Sequence, residues 1–219
     1  MKIEIDIFSD PICPWCYIGK KRLEKALANR PDLNIEIRWR AFQLNPSMPE
    51  LGMDRKTYLE NKFGGPGGAA QVYGHIKTTG ETEGIDFKFD EIKRTPNTVK
   101  AHRLIRFAQS QNAQIAFDLK EELFQAYFMN GKDIGDKETL IEIASAVGMN
   151  GTDVTEFLDT EIFKSDIEEE DTTARRLGIS GVPFFIVNGQ YALSGAQEPS
   201  AFEPVFDLAL QAASEIESQ

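Results

Sequence analysis

A chain of 219 residues has room for one large domain, or for a domain that carries a sizeable insertion. Its 41% hydrophobic and 27% charged residues are those of an ordinary globular protein, and 35 Asp and Glu against 24 Lys and Arg leave a net charge of −11. That balance argues against binding a nucleic-acid backbone, which calls for a basic footprint, and no run approaches the roughly 18 apolar residues of a membrane span.

From its start the chain alternates apolar residues at Ile3, Ile5 and Ile7, the pattern of a half-buried strand over residues 2–8. The opening Met1-Lys2-Ile3-Glu4-Ile5-Asp6 lacks the apolar core, roughly 7–15 residues long, of a secretory signal, so a cytoplasmic protein is expected. Next come the chain's two cysteines, in Cys13-Pro14-Trp15-Cys16, and then Ile18, Leu23, Ala26 and Leu27 at helical spacing. This predicts a helix over residues 14–29, stopped by Asn29-Arg30-Pro31-Asp32. Ile35, Ile37 and Trp39 mark a second strand, with Trp39 as a packing residue. The first 42 residues thus read as β-α-β, with the cysteines at the C-terminal end of the first strand, where chemistry collects in open α/β sheets.

In a reducing compartment a lone cysteine pair is more often catalytic or metal-binding than a structural staple. Cys13 falls at a helix N-terminus, where unpaired N–H groups and the positive end of the helix dipole favour a thiolate. Such positions lower a cysteine pKa from about 8.5 into the range of about 3.5–7.5. Cys13 is therefore the candidate nucleophile, and Cys16, one turn further in, the resolving thiol. Pro14 suits the first helical turn, which needs no N–H, and Trp15 offers an apolar face beside the sulfurs. Neither is charged, so the depression rests on the helix end, opposed by Asp10 if its carboxylate lies close. No metal site is expected: a structural zinc takes four ligands, and His75 and His102 show no zinc-finger spacing with the cysteines.

After a turn at Asn45-Pro46-Ser47-Met48-Pro49 the pattern becomes helical. Gly64-Gly65-Pro66-Gly67-Gly68 lacks the Gly-Lys-Ser/Thr ending of a phosphate loop and reads as a surface loop between helices. Phe87-Lys88-Phe89 reads as a short extended piece. Asn97 or Thr98 caps a helix carrying Ala101, Leu104, Ile105 and Ala108, with His102 as a structural histidine. Ile115, Leu119, Leu123 and Ala126 mark another, in which Phe117, Phe124, Tyr127 and Phe128 read as core. Asp136 caps a third helix, ending at Gly148, and Asp153 starts a fourth that runs to Ile162. Asp166-Ile167-Glu168-Glu169-Glu170-Asp171 reads as a solvated helix face, with Asp171 and Arg175 as a supporting pair. Val182 to Val187 and Tyr191 to Leu193 form two strands joined by a two-residue turn at Asn188-Gly189, and a closing helix spans Ser200 to Ala212.

Cys13-Pro14-Trp15-Cys16 opening a helix, together with Gly178-Ile179-Ser180-Gly181-Val182-Pro183 before a β-hairpin, resembles the thioredoxin fold. The helical segment between the two halves narrows the likeness to the DsbA-like superfamily. Ser9-Asp10-Pro11-Ile12-Cys13-Pro14-Trp15-Cys16-Tyr17-Ile18-Gly19, Asn97-Thr98 with Ala101-His102-Arg103-Leu104, and Leu193-Ser194-Gly195-Ala196-Gln197 resemble its cytosolic FrnE-like branch. These matches span nearly the whole chain.

The resemblance implies an α/β thioredoxin fold with a large all-helical insertion, residues 1–42 and 171–219 forming the thioredoxin domain and 43–170 the insertion. It implies that Pro183 is a cis-proline facing the sulfurs, so that the Val182 backbone can pair with an extended substrate or with glutathione. Pro14, Trp15 and Pro183 then modulate a thiol–disulfide oxidoreductase whose catalytic residues are Cys13 and Cys16, acting on protein or low-molecular-weight disulfides. No tightly bound cofactor is implied; glutathione or another thiol is the redox partner, with neither nucleic acid nor membrane as a partner. The kappa-class glutathione transferases and the 2-hydroxychromene-2-carboxylate isomerases are related, and they suggest a homodimer and an alternative, glutathione-dependent isomerase or transferase chemistry. Those relatives typically carry serine where this chain has Cys13, and an isomerase has no need of Cys16.

Overall fold

The computed structural model describes residues 2–217; Met1 and the last two residues lie outside it. The elements in chain order are β1 (Lys2–Ser9), α1 (Pro14–Ala28), β2 (Asn34–Ala41), β3 (Met53–Asp54), α2 (Arg55–Phe63), α3 (Pro66–Thr82), β4 (Arg94–Thr95), α4 (Val99–Gln111) and α5 (Ala113–Phe128). There follow α6 (Lys137–Ala146), α7 (Gly151–Leu158), α8 (Lys164–Arg176), β5 (Phe184–Val187), β6 (Tyr191–Ser194) and α9 (Glu203–Glu217).

Strands β1 and β2 pair in parallel from Lys2 and Asn34 to Ser9 and Ala41. A parallel pair needs a crossover, and α1 supplies it. β5 runs antiparallel to β1 and β6 antiparallel to β5, giving the order β2-β1-β5-β6. Strand alternation sorts the side chains. Ile3, Ile5, Ile7, Trp39, Phe185 and Val187 enter a core shared with α1 and α9. Glu4, Asp6, Arg38 and Arg40, at the alternate positions, form an ion-pair ladder: Arg38 meets Glu4 at 2.6 Å and Asp6 at 3.2 Å, and Arg40 meets Asp6 at 2.7 Å. Phe8 joins Phe42, Ala174 and Ile179 in a second apolar cluster that includes α8.

Between β2 and α8 the regular elements are helices, except for the antiparallel ribbon of β3 and β4, whose two-residue strands are too short to show a period. The insertion is therefore not all-helical. The expected boundary at 170/171 falls inside α8, a helix that packs on β2 and α4. Phe124, Tyr127 and Phe128 are fully buried, and Phe117 is half-buried against Trp39.

Several local expectations are corrected. Only Gly64 and Gly65, both at positive φ, stand outside helices in the glycine-rich stretch; Pro66 opens α3 at its first turn, where its missing N–H is tolerated. Phe87 and Lys88 are irregular and Phe89–Glu91 is a 3-10 turn. Asn97 rather than Thr98 supplies the cap bond of α4, accepting from Val99 N at 3.0 Å. Asn150, not Asp153, caps α7, which ends at Leu158. The hairpin turn forms with Asn188 and Gly189 at positive φ, yet pairing resumes at Tyr191, so Gln190 lengthens it by one residue. The closing helix α9 begins at Glu203, after a 3-10 turn at Pro199–Ala201.

The acidic run divides. Glu168 and Glu169 are exposed, but Asp171 is buried and Glu170 half-buried. Glu170 accepts from Ala41 N at 2.7 Å and pairs with Arg40 and Arg106, while Asp171 accepts from Gln43 N at 2.7 Å and from Arg175. These two carboxylates satisfy the backbone where β2 ends.

Candidate active site

Cys13 is the N-cap of α1, with extended backbone (φ −93°, ψ 113°), and Pro14 follows in the first turn. Its carbonyl accepts from Cys16 N at 3.0 Å, and its own N–H donates to Asp10 O at 2.9 Å. Both cysteines are free thiols and both are buried. The Val182–Pro183 peptide is cis, and Cys13 Sγ donates to Val182 O at 3.5 Å. The sulfur and the proline loop, 169 residues apart in sequence, thus meet face to face.

Gly19 makes that approach possible. A Cβ placed there would stand 2.7 Å from Pro183 Cγ, so any side chain would wedge α1 away from the loop. On the pair's flank, half-buried Trp15 lies against exposed His75 of α3, ring centroids 5.8 Å apart.

Beneath the sulfurs lies a buried polar cluster. Asp10 is wholly buried; its carboxylate accepts from Leu44 N at 2.7 Å and Ile12 N at 3.3 Å, and Thr98 hydrogen-bonds it. Burial pushes its pKa up to about 6, against these hydrogen bonds and the charge of Lys120. His102 Nε2 lies 3.8 Å from Asp10 Oδ1. Burial, and then the charge of Lys120, hold this histidine well below its ordinary range, so it is neutral. Lys120, 1% exposed, lies over the Trp39 and Phe124 rings, and burial brings its pKa down to about 8.

One electrostatic expectation is overturned. Burial, and then neighbouring Cys16, push the Cys13 thiol up rather than down. The helix end acts on a sulfur that solvent barely reaches, and desolvation of the thiolate prevails.

The cluster brings together Asp10, Thr98, His102 and Lys120, of which sequence reasoning gave no role to Lys120. Its signal was there: Lys120 stands four residues from both Ala116 and Phe124, on the apolar face of α5. Among the described residues no group of three or more His, Cys, Asp and Glu is placed to hold a metal, and no helix is long and apolar enough to cross a membrane.

Comparison with known proteins agrees with this geometry. The chain is 28% identical to the uncharacterized protein YwbO of Bacillus subtilis (strain 168), over 93% of this chain and 95% of that one. A probable DsbA oxidoreductase from Streptomyces coelicolor superposes with a TM-score of 0.85 at 28% identity, covering 95% of this chain and 90% of its own. The cytosolic disulfide reductase DsbM from Pseudomonas aeruginosa, solved also with GSH, shares the fold at a TM-score of 0.67 and 17% identity, with 95% and 99% covered. The model of the DSBA-like thioredoxin domain matches residues 4–207. With its thioredoxin fold, its helical insertion and a cysteine pair facing a cis-proline, the chain belongs to the DSBA-like thioredoxin domain family.

Proposed function

We propose that this protein is a cytoplasmic thiol–disulfide oxidoreductase of the FrnE-like branch, working through Cys13 and Cys16 on protein or low-molecular-weight disulfides. The observation that carries the reading is the contact of Cys13 Sγ with Val182 O beside the cis peptide. The sulfur that attacks and the backbone that would pair with an extended disulfide substrate lie side by side.

In the reducing direction Cys13, as thiolate, attacks one substrate sulfur; the S–S bond breaks and the other sulfur leaves with the electron pair and takes up a proton. Cys16 then attacks Cys13 Sγ, the mixed disulfide breaks, and the second substrate sulfur leaves as a thiol. The protein is oxidised by two electrons and the substrate is reduced by two. Glutathione or another thiol restores the dithiol, and DsbM, described as cytosolic and solved with GSH, supports both that partner and the compartment. Val182 O is taken by the Cys13 thiol in the free protein, so substrate and thiol compete for one carbonyl. A homodimer is the assembly we expect. A glutathione-dependent isomerase would leave Cys16 without a task, although it lies buried against Cys13.

The test is trapping. Cys16→Ser should accumulate mixed disulfides on Cys13, with Cys13→Ser as control, and mass spectrometry identifies what is attached. Trapped proteins or small disulfides support exchange. Turnover that survives the loss of Cys16, with glutathione alone attached, overturns it.

A further inference from the structure

Val182 and Pro183 lie beside Cys13, and a second tie, further along α1, holds the far side of their loop. Pro183 O accepts at 2.9 Å from the N–H of Gly195, the first residue after β6. β6 is an edge strand, and its pairing ends with Ser194 opposite Phe184. Gly195 stands at φ +81°, a conformation that glycine adopts without strain, and the chain turns off the strand there. The next carbonyl, Ala196 O, accepts from Arg22 Nη1 at 2.7 Å. Arg22 belongs to α1, the helix that Cys13 caps. The contacts therefore close a ring: Cys13 to Val182, Pro183 to Gly195, Ala196 to Arg22, and back along α1.

Arg22 is 8% exposed, and all three nitrogens of its guanidinium are engaged. Nε lies 2.7 Å from Glu83 Oε1, and Nη2 lies 2.6 Å from Glu198 Oε1. Glu83 closes α3 in the helical insertion, and Lys25 takes its other oxygen at 2.5 Å. A planar guanidinium presents its donors at fixed angles, so one side chain joins α1, the end of α3 and the loop beyond β6. Burying an ion pair is weak evidence for stability, because desolvation offsets the attraction. What this one sets is geometry.

We propose that Arg22 is a positioning residue for thiol–disulfide exchange, which pins the loop beyond β6 and, through Gly195, sets the Val182–Pro183 peptide against Cys13. The proposal rests on the exchange reading and deepens it. Arg22 acts at a distance from the sulfurs, through the carbonyl of Ala196 and the N–H of Gly195. Without it Glu83 keeps Lys25, but Ala196 O loses its donor and the loop drifts from α1. Two consequences separate this role from that of a strut. An extended disulfide no longer finds the Val182 backbone beside Cys13, and it exchanges slowly. The Cys13 thiol loses the acceptor of its hydrogen bond and part of its cover, so the thiolate forms at lower pH.

The test compares two reactions of the reduced full chain. Oxidised glutathione takes two electrons from Cys13 and Cys16, which form a disulfide, and leaves as two glutathione thiols. Iodoacetamide alkylates Cys13 without any backbone partner, and its pH profile reports the ionised fraction. Corrected for that fraction, exchange by Arg22→Met should be slower by about tenfold or more, since misplacing reacting groups by about 1 Å can cost 100-fold. Its alkylation profile should move to lower pH and reach the same plateau as the parent. Cys16, Asp10 and Lys120, the charged and titratable groups that act on Cys13, are the same in both proteins. Arg22→Lys, whose single ammonium cannot span the three acceptors, should show both effects in smaller size. It decides the question if Arg22→Met does not fold by circular dichroism. A folded variant that melts lower, yet exchanges and titrates as the parent does, has lost only a strut and overturns the proposal. A wild type that is alkylated at Cys13 but leaves oxidised glutathione and a disulfide-bridged peptide intact removes the exchange reading itself, and the positioning role with it.

Discussion

Gly19 and Pro183 touch with no room between them: a Cβ on Gly19 would lie 2.7 Å from Pro183 Cγ and 3.4 Å from Phe185 Cζ. Gly19→Ala therefore sets two effects against each other. Alanine is the better helix former by about 0.8–1 kcal/mol, whereas forcing a methyl into a packed contact costs about 1–3 kcal/mol. Pro183 is buried and its carbonyl is held by Gly195 N at 2.9 Å, so it cannot give way freely. The contact wins, and the variant should lose about 1–2 kcal/mol. Since misplacement of reacting groups by about 1 Å can cost 100-fold, exchange should also slow by about tenfold or more. Thermal melts beside exchange rates check both; a more stable and equally fast variant refutes the contact.

The acidic run of α8 predicts a contrast between neighbours. Asp171→Ala strands the N–H of Gln43 and leaves Arg175 with the Gln43 carbonyl as its remaining acceptor, and a buried donor left without its partner costs about 1–3 kcal/mol. Glu169 is exposed, so Glu169→Ala should stay within about 0.5 kcal/mol of the parent. Urea denaturation of the two variants measures the difference, and equal midpoints would return the whole run to solvent.

What the sequence revealed and what it hid divide along physical lines. Ile3, Ile5 and Ile7 alternate because one face of β1 is buried, so the strand and its crossover helix were legible from residues in series. The cysteine pair was legible because its spacing is local. The hidden parts join residues far apart in the chain: Asp10 to Leu44, Cys13 to Val182, Glu170 to Ala41. A local pattern does not carry such pairings, and the cis bond at Pro183 came from family resemblance alone. Charge also misled. Lys120, Glu170 and Asp171 look like surface residues by type, and burial was decided by what α4, β2 and the loop after β2 bring against them.

The Cys13 thiol gives a chemical test of that burial. Placement at a helix N-terminus argues for ready alkylation at neutral pH, but burial and the neighbouring Cys16 thiol push Cys13 upward. Iodoacetamide should therefore modify Cys13 more slowly than free glutathione at neutral pH, with a rate still rising above about pH 8.5, the usual thiol value. Mass spectrometry over a pH series follows the reaction. Faster alkylation than glutathione, levelling off below neutrality, would show that the helix end prevails over desolvation.

Lys120 predicts how stability depends on pH. Its pKa falls from the usual 10.5 to about 8 in the folded protein, through burial opposed by Cys16, Asp10 and Cys13. Between those values the unfolded chain holds the proton that the folded chain has lost, so this residue makes stability rise with pH across that window. Below about pH 8 both states are protonated and the cost of burying the ammonium is paid in full, up to about 3 kcal/mol. Lys120→Met removes the charge while keeping the length of the side chain. Relative to wild type it should hold its full advantage below about pH 8 and lose it as pH rises towards 10.5. Asp10 and the facing thiols feel the charge of Lys120, so the difference between the two urea-derived stabilities at each pH reports the lysine together with its coupling to them. A difference that does not change with pH would mean that Lys120 titrates in the fold as it does in water.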